Sequence, residues 1–413
     1  MTLSKRMQQI KPSATMAVAA RAKVLKEAGK DIISFGLGEP GFPTAPVAAE
    51  AGVAAIHAGD TRYTSPAGTD FLKDAIIEKF KRDHDLEYEK KEIIVSCGAK
   101  HTLYNIAQVL FDAGDEVIIP VPYWVTYPDQ VRLSGATPVF VETEEAQGFL
   151  MTPAQLKAAI TPRTKGIIFN SPSNPTGAIY TKKDYEAFGD LLLSGEMTII
   201  SDEIYEKFLY GDAAHFSIAA LDPAIKQKTI VVNGVSKSYS MTGWRIGYAA
   251  GPAEIVQAMT TLQSQSTSNP TSISQRAAAA AITGGESFIR EMVAAFAERR
   301  KLMLDQLKQI EGVSCLSPPG SFYLFPNMKA LIGKRHAHGV IQNTADLASF
   351  LLEEGGVTTI PGEAFGAPGH LRLSFALSEP VLSLGLEKIK NAISTLGPVN
   401  TNPMGSVSSK KTP

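Results

Sequence analysis

The chain has 413 residues, 44% of them hydrophobic, and 40 Lys plus Arg against 41 Asp plus Glu leave a formal net charge of −1. That length supports two or three domain-sized units, and the near-zero charge, with no stretch concentrating Lys and Arg, speaks against a nucleic-acid surface as the main partner. Cys97 and Cys315 stand far apart and outside any CxxC pair, which suits reduced, buried thiols in a soluble cytoplasmic protein.

The chain opens on MTLSKRMQQIKPS, which lacks an apolar core of signal-peptide length, and no later run approaches the roughly 20 residues that span a bilayer. DIISF then reads as a strand, followed by GLGEPG, a match to G-x-G-x-x-G. A dinucleotide loop must open directly into a helix whose N-terminus meets the pyrophosphate. Pro40, Pro43 and Pro46 prevent that here, so the match is accidental. EIIVSCG leads into the helical pattern AKHTLYNIAQVLF, and EVIIP, TPVFV, KGIIFN and MTIISDE follow with amphipathic segments between them. This alternation predicts an α/β fold, a mainly parallel sheet with helices on both faces. TIVVNG and RIGYAAG stand too close for a parallel crossover, so that pair is expected to run antiparallel.

After about residue 285 a long charged helix, GESFIREMVAAFAERRKLMLDQLKQIEG, gives way to the short strands SFYLFPN, GVTTI and LRLSFA. The expected organisation is a large domain over residues 45–295 and a discontinuous smaller α+β domain over 1–44 and 296–395, joined through EPGFPTAP. Residues 396–413 read as a disordered polar tail. The seven histidines are scattered. His336 and His338 in GKRHAHG read as a solvated loop, and with no HExxH or cysteine partner no metal site is expected.

Three stretches fall at the C-terminal ends of predicted strands, where α/β sheets place ligands. SCGAKH passes from strand to helix through Gly98, and backbone N–H groups at such a start suit a phosphate. In SDEIYEKFLY, Asp202 could cap the next segment or hold a proton on a ring nitrogen, with Tyr205 nearby. In SPSNPTG, Asn174 is either a routine turn residue or a donor at the same edge. VSKSYSMTGWRIGY adds Ser236 and Arg245 as phosphate ligands and Lys237 as an amine that can attack an aldehyde. Phosphate donors, an imine-forming lysine and an acid for a pyridine nitrogen together describe pyridoxal 5'-phosphate.

GLGEPGFPT, RYTSPAG, PYWVTYP, SPSNPTG, SDEIYE, SKSYSMTGWRIGY and LRLSFA, in that order, resemble the class I aminotransferases of pyridoxal-phosphate fold type I, and within them the bacterial and plastid aspartate aminotransferase group. The resemblance spans about residues 1–395 and implies a seven-stranded type of sheet and a ping-pong transamination, with aspartate and 2-oxoglutarate as the leading pair. Prephenate amination, alanine or aromatic specificity and, last, a pyridoxal-phosphate lyase are the alternatives. It assigns Lys237 to bonding the cofactor and carrying the proton, Asp202 to the pyridine nitrogen, Tyr205 and Asn174 to the ring oxygen, and Trp124 to the ring face. The backbone of Gly98, Ala99 and Lys100, with Ser236 and Arg245, holds the phosphate, and Tyr63 reaches it from the other subunit of a homodimer. Arg372 clamps the substrate α-carboxylate beside Gly38, the Lys100 side chain meets a distal carboxylate, and Thr15 matches members that also take prephenate. One departure stands out: relatives usually carry an acidic residue at the position of Gly41 and another near Pro43, where this chain reads EPGFPTAP.

Overall fold

The computed structural model describes residues 3–10, 12 and 14–398. After the two-residue strand β1 (Ile33–Ser34), seven strands form one sheet: β2 (Ile93–Ser96), β3 (Glu116–Val121), β4 (Thr137–Glu142), β5 (Thr164–Asn170), β6 (Thr198–Asp202), β7 (Thr229–Gly234) and β8 (Gly247–Ala250). Their order is β2-β8-β7-β6-β5-β3-β4. Only β8 is reversed, antiparallel to both β2 and β7, and the remaining pairs are parallel. The short TIVVNG–RIGYAAG connection therefore behaves as chain geometry demands. Every residue of β2, β7 and β8 is buried, whereas edge strand β4 exposes Thr137, Phe140 and Glu142 and buries only Val141. Helices cover both faces of the middle strands, which is why those strands read as unbroken apolar runs.

Four helices precede or flank the first strands: α1 (Ala14–Glu27), α2 (Pro46–His57), α3 (Asp70–His84) and α4 (Ala99–Leu110). The α4 helix follows β2 with only Cys97 and Gly98 between them, so its N-terminus opens at a C-terminal strand end. The later strands are β9 (Tyr323–Leu324), β10 (Arg335–His336), β11 (Gly339–Val340), β12 (Val357–Thr358), β13 (Ile360–Pro361) and β14 (Leu371–Ser374). Here β1 pairs with β12, and β14 lies between β13 and β9. Ile33 and Phe35 share a core with Phe296, Phe322, Leu373 and Leu386, so the N-terminal segment packs with the C-terminal third of the chain.

Some expectations change. His336 is not in a solvated loop: it belongs to the β10–β11 hairpin, is half-buried, and its ring centroid lies 5.0 Å from that of Phe350. Cys97 and Cys315 are unpaired, as expected, but half-buried. Of the tail expectation, residues 399–413 lie outside the described residues. Among the described residues, no helix is long and apolar enough to cross a membrane. After GLGEPG no helix begins until Pro46, so a dinucleotide loop is excluded there.

Gly41 has φ +72°, and a Cβ there would stand 2.0 Å from the carbonyl oxygen of Ala376. Any side chain would push the GEPGF segment off the residues following β14. Gly41→Ala is expected to lower stability by about 1–3 kcal/mol in urea unfolding. An unchanged midpoint would mean that the segment shifts without cost.

Candidate active site

A cavity of about 440 Å³ lies along the C-terminal ends of the parallel strands. Most of its wall comes from chain segments leaving the seven-stranded sheet, the usual ligand position in α/β folds. Asp202 ends β6, Ser236 and Lys237 follow β7, Ala99 and Lys100 begin α4, and Trp124 and Tyr127 follow β3. Gly36 and Gly38 enter from the segment after β1, and Arg372 from β14.

Lys237 is half-buried at the cavity wall, and its Nζ donates to the carbonyl oxygen of Gly38. Desolvation, opposed by the carboxylate of Glu39 and reinforced by the cations Arg372, Arg245 and Lys100, lowers its pKa to about 8. A useful fraction of the amine is thus unprotonated near neutrality. Asp202 is 3% exposed. Its Oδ2 accepts from the hydroxyl of Tyr127 at 2.7 Å and its Oδ1 from the backbone N–H of Ile204 at 3.2 Å. Burial raises its pKa to about 6 despite those donors. The Ile204 bond is the local turn role that the sequence allowed, and the buried, cavity-lining carboxylate is the other; Asp202 fills both.

Arg372, placed on β14, is only 3% exposed. Nη1 donates to Asn174 Oδ1 at 3.0 Å and Nη2 to Gly36 O at 2.8 Å, while Nε is buried without a partner. The guanidinium lies over the ring of Tyr323, 4.4 Å from its centroid. A fork fixed on two sides with an orphaned donor suits a carboxylate.

At the other end, Gly98 has φ +91°, and a Cβ on it would stand 2.3 Å from Arg245 Nη2. Glycine lets the guanidinium lie against the start of α4. Arg245, itself left-handed at φ 58°, donates to Thr242 O at 2.8 Å and Cys97 O at 3.3 Å. Ser236 is buried beside it. Lys237, Arg245, Arg372 and Lys100 thus face one cavity against the carboxylates of Glu39 and Asp202. That excess of positive charge, with a helix N-terminus added, fits an anionic ligand.

Lys100 Nζ lies over the ring of Trp124, 5.0 Å from the centroid, and has no carboxylate partner among the described residues. Desolvation and Arg245 lower its pKa. The cavity therefore gathers Gly38, Ala99, Lys100, Trp124 and Asn174, with Asp202, Tyr205, Ser236, Lys237, Arg245 and Arg372. Tyr63 is not brought in: it is 91% exposed and lines a separate pocket with Asp60 and Arg62. Thr15 belongs to α1, and its side chain lies outside the described residues; its neighbour Met16 lines the cavity.

The cavity also holds residues that sequence reasoning did not assign, Tyr127, Tyr323 and Glu39 among them. Tyr127 lies three positions after Trp124 in PYWVTYP, a motif already in view, yet nothing local says that its hydroxyl meets Asp202. Tyr323, whose hydroxyl is 3.1 Å from that of Tyr205, looks like an ordinary core residue in SFYLFPN. Glu39, which accepts from Thr242 Oγ1 at 2.7 Å, was hidden in the dismissed GLGEPG.

The sequence model of the family "Aminotransferase class I and II" matches residues 30–389. The chain is 51% identical to an aspartate aminotransferase of Geobacillus stearothermophilus over 389 residues, 94% of this chain and 98% of that one. It is 45% identical to an aspartate/prephenate aminotransferase of Nitrosomonas europaea over 397 residues, 95% of this chain and all of that one. Among solved structures, an aspartate aminotransferase from Rhizobium meliloti superimposes with a TM-score of 0.93 at 42% identity, covering 96% of this chain and all of its own.

Proposed function

Since this chain belongs to the class I and II aminotransferases and transfers amino groups between amino acids and 2-oxo acids, we propose that it does so with pyridoxal 5'-phosphate, and with aspartate and 2-oxoglutarate as its main pair. The observation that carries the reading is the meeting of Lys237, Asp202 and Arg372 in one cation-rich cavity. The residues fit the cofactor: the start of α4, Ser236 and Arg245 form an anion cradle at one end, and a buried carboxylate stands at the other. Bound there, pyridoxal phosphate supplies an aldehyde carbon that takes up the amino group and a ring that draws electrons from the carbon losing a proton.

The chain's own residues do the rest. The backbone of Gly98, Ala99 and Lys100 holds the phosphate with Ser236 and Arg245. Asp202, ionised beside Tyr127, would keep a proton on the ring nitrogen of a bound cofactor, and Trp124 would pack on its ring. Tyr205 and Asn174 meet the ring oxygen; Asn174 already gives its Oδ1 to Arg372 and so can offer its amide nitrogen. Arg372 orients the substrate through its α-carboxylate beside Gly38, setting the Cα proton within reach of Lys237. Lys237 Nζ takes that proton and returns it to the neighbouring carbon, a role that its lowered pKa suits. Lys100 receives the distal carboxylate of a dicarboxylic substrate. We read the enzyme as a cytoplasmic homodimer divided near residues 45 and 295, with Tyr63 of the partner subunit completing each phosphate site. The exposure of Tyr63 and the two unpaired cysteines support this.

The test is the half-reaction of the purified enzyme with aspartate, glutamate, alanine, aromatic amino acids and arogenate, followed by cofactor absorbance. Aspartate and glutamate are expected to react fastest. A rate with arogenate close to theirs would support prephenate amination as a second activity, which the name of the Nitrosomonas europaea relative favours. If alanine or an aromatic amino acid outran aspartate, the role given to Lys100 would fail.

A further inference from the structure

We propose that His84, Glu203, Glu206 and His215 form a buried structural site for a divalent first-row transition-metal ion of the zinc type. One ligand atom from each of the four lies within 4.8 Å of the other three. His84 Nε2 stands 2.6 Å from Glu206 Oε2, and His215 Nε2 stands 3.1 Å from Glu203 Oε2. Ligands held about 2.0–2.2 Å from a tetrahedral ion sit about 3.3 Å apart, a value inside the range of separations found here. Two imidazoles and two carboxylates suit zinc, cobalt or manganese, and the absence of thiolate argues against a soft ion.

The surroundings resemble the outer shell of a metal site. Glu203 Oε1 accepts from the hydroxyls of Ser201 at 2.8 Å and Ser217 at 2.7 Å, which aims its Oε2 at His215. Glu206 Oε1 is held by the ammonium of Lys79 at 2.5 Å, which leaves its Oε2 to His84. Lys79 also lies 3.4 Å from Asp83. Glu206 is answered by Lys79, whereas buried Glu203 has, among the described residues, no Lys or Arg within salt-bridge distance and only His215 beside it, so an ion among the four ligand atoms would complete its charge. His215, whose side chain is 5% exposed, has a buried Nδ1 without a partner while its Nε2 points into the cluster.

The site lies behind the active cavity. Asp202 and Tyr205 line that cavity, while Glu203 and Glu206, interleaved with them, line neither it nor its mouth. An ion here would tie the C-terminal end of α3, through His84, to the segment that carries Asp202 and Tyr205, and to the loop holding His215.

The experiment uses the cofactor-loaded enzyme, dialysed against a chelator and titrated with Co²⁺. The expected result is one equivalent bound per chain, with the visible d–d bands of a tetrahedral ion, displaced by Zn²⁺. His84→Asn is expected to weaken Co²⁺ binding by about 100-fold and Ser217→Ala, which loosens Glu203, by about 10-fold. Cofactor absorbance reports whether each variant is folded, and Ser217→Ala provides the reading if His84→Asn does not fold. Absence of the bands would overturn the proposal, a shared proton then holding the cluster together. Equal Co²⁺ affinity in the wild type and Ser217→Ala would also overturn it, because the ion would then be bound elsewhere.

Discussion

Lys237→Ala is expected to lower the rate of the aspartate half-reaction by roughly 10⁴-fold or more, because it removes the nucleophile and the proton carrier together. Arg245, Ser236 and the start of α4 remain in place, so the variant should still bind the cofactor, but without the absorption of a lysine-bound form. Among the cavity residues, only Lys100 could substitute as an amine. It projects over Trp124 rather than toward Gly38. Reduction with borohydride followed by peptide mapping checks the assignment. A reducible bond that persists in the variant at full turnover would sink it.

Asp202→Asn is expected to cost roughly 10³-fold in turnover, since a neutral amide cannot hold the ring proton against deprotonation in a buried site. The fold should survive, because asparagine still offers an acceptor to the hydroxyl of Tyr127. The same change has an effect on stability in the cofactor-free protein. Burial lifts Asp202 from 3.8 to about 6, so folding favours its protonated form. Its contribution is fully present below the unfolded value and is lost as the pH rises through about 6, a total of about 3 kcal/mol. Between about pH 4, just above the unfolded value, and pH 7, cofactor-free wild type should therefore lose about 2 kcal/mol of stability relative to Asp202→Asn. Urea unfolding of both proteins at the two pH values measures it, and parallel curves would mean that Asp202 titrates normally.

Much of the fold was legible because its signals are local. Apolar runs of strand length, helical periods between them and the tight spacing of TIVVNG and RIGYAAG led to a sheet with one reversed strand, as observed. Most cofactor residues were legible for a related reason: Gly98, Trp124, Asn174, Asp202, Ser236 and Lys237 lie at or just past the ends of parallel strands or of β2, and such ends converge at one edge of the sheet. Where the reading failed, contacts cross long stretches of sequence. Tyr127 looks like one more aromatic of PYWVTYP until its hydroxyl is seen to meet Asp202, 75 residues away. His84 and His215 counted as scattered because nothing local brings the end of α3 to the loop after β6.

The sequence by itself determined the order of the elements, the family and the kind of chemistry, since strand–turn–helix junctions and a lysine between phosphate ligands are properties of neighbours along the chain. The tertiary structure alone decided which way the SDEIYEK segment distributes its acids, with Asp202 to the cavity and Glu203 and Glu206 to the histidines. Past the end of a strand the alternation of two residues no longer governs direction, and packing against α3, Tyr127 and the loop after β6 takes its place.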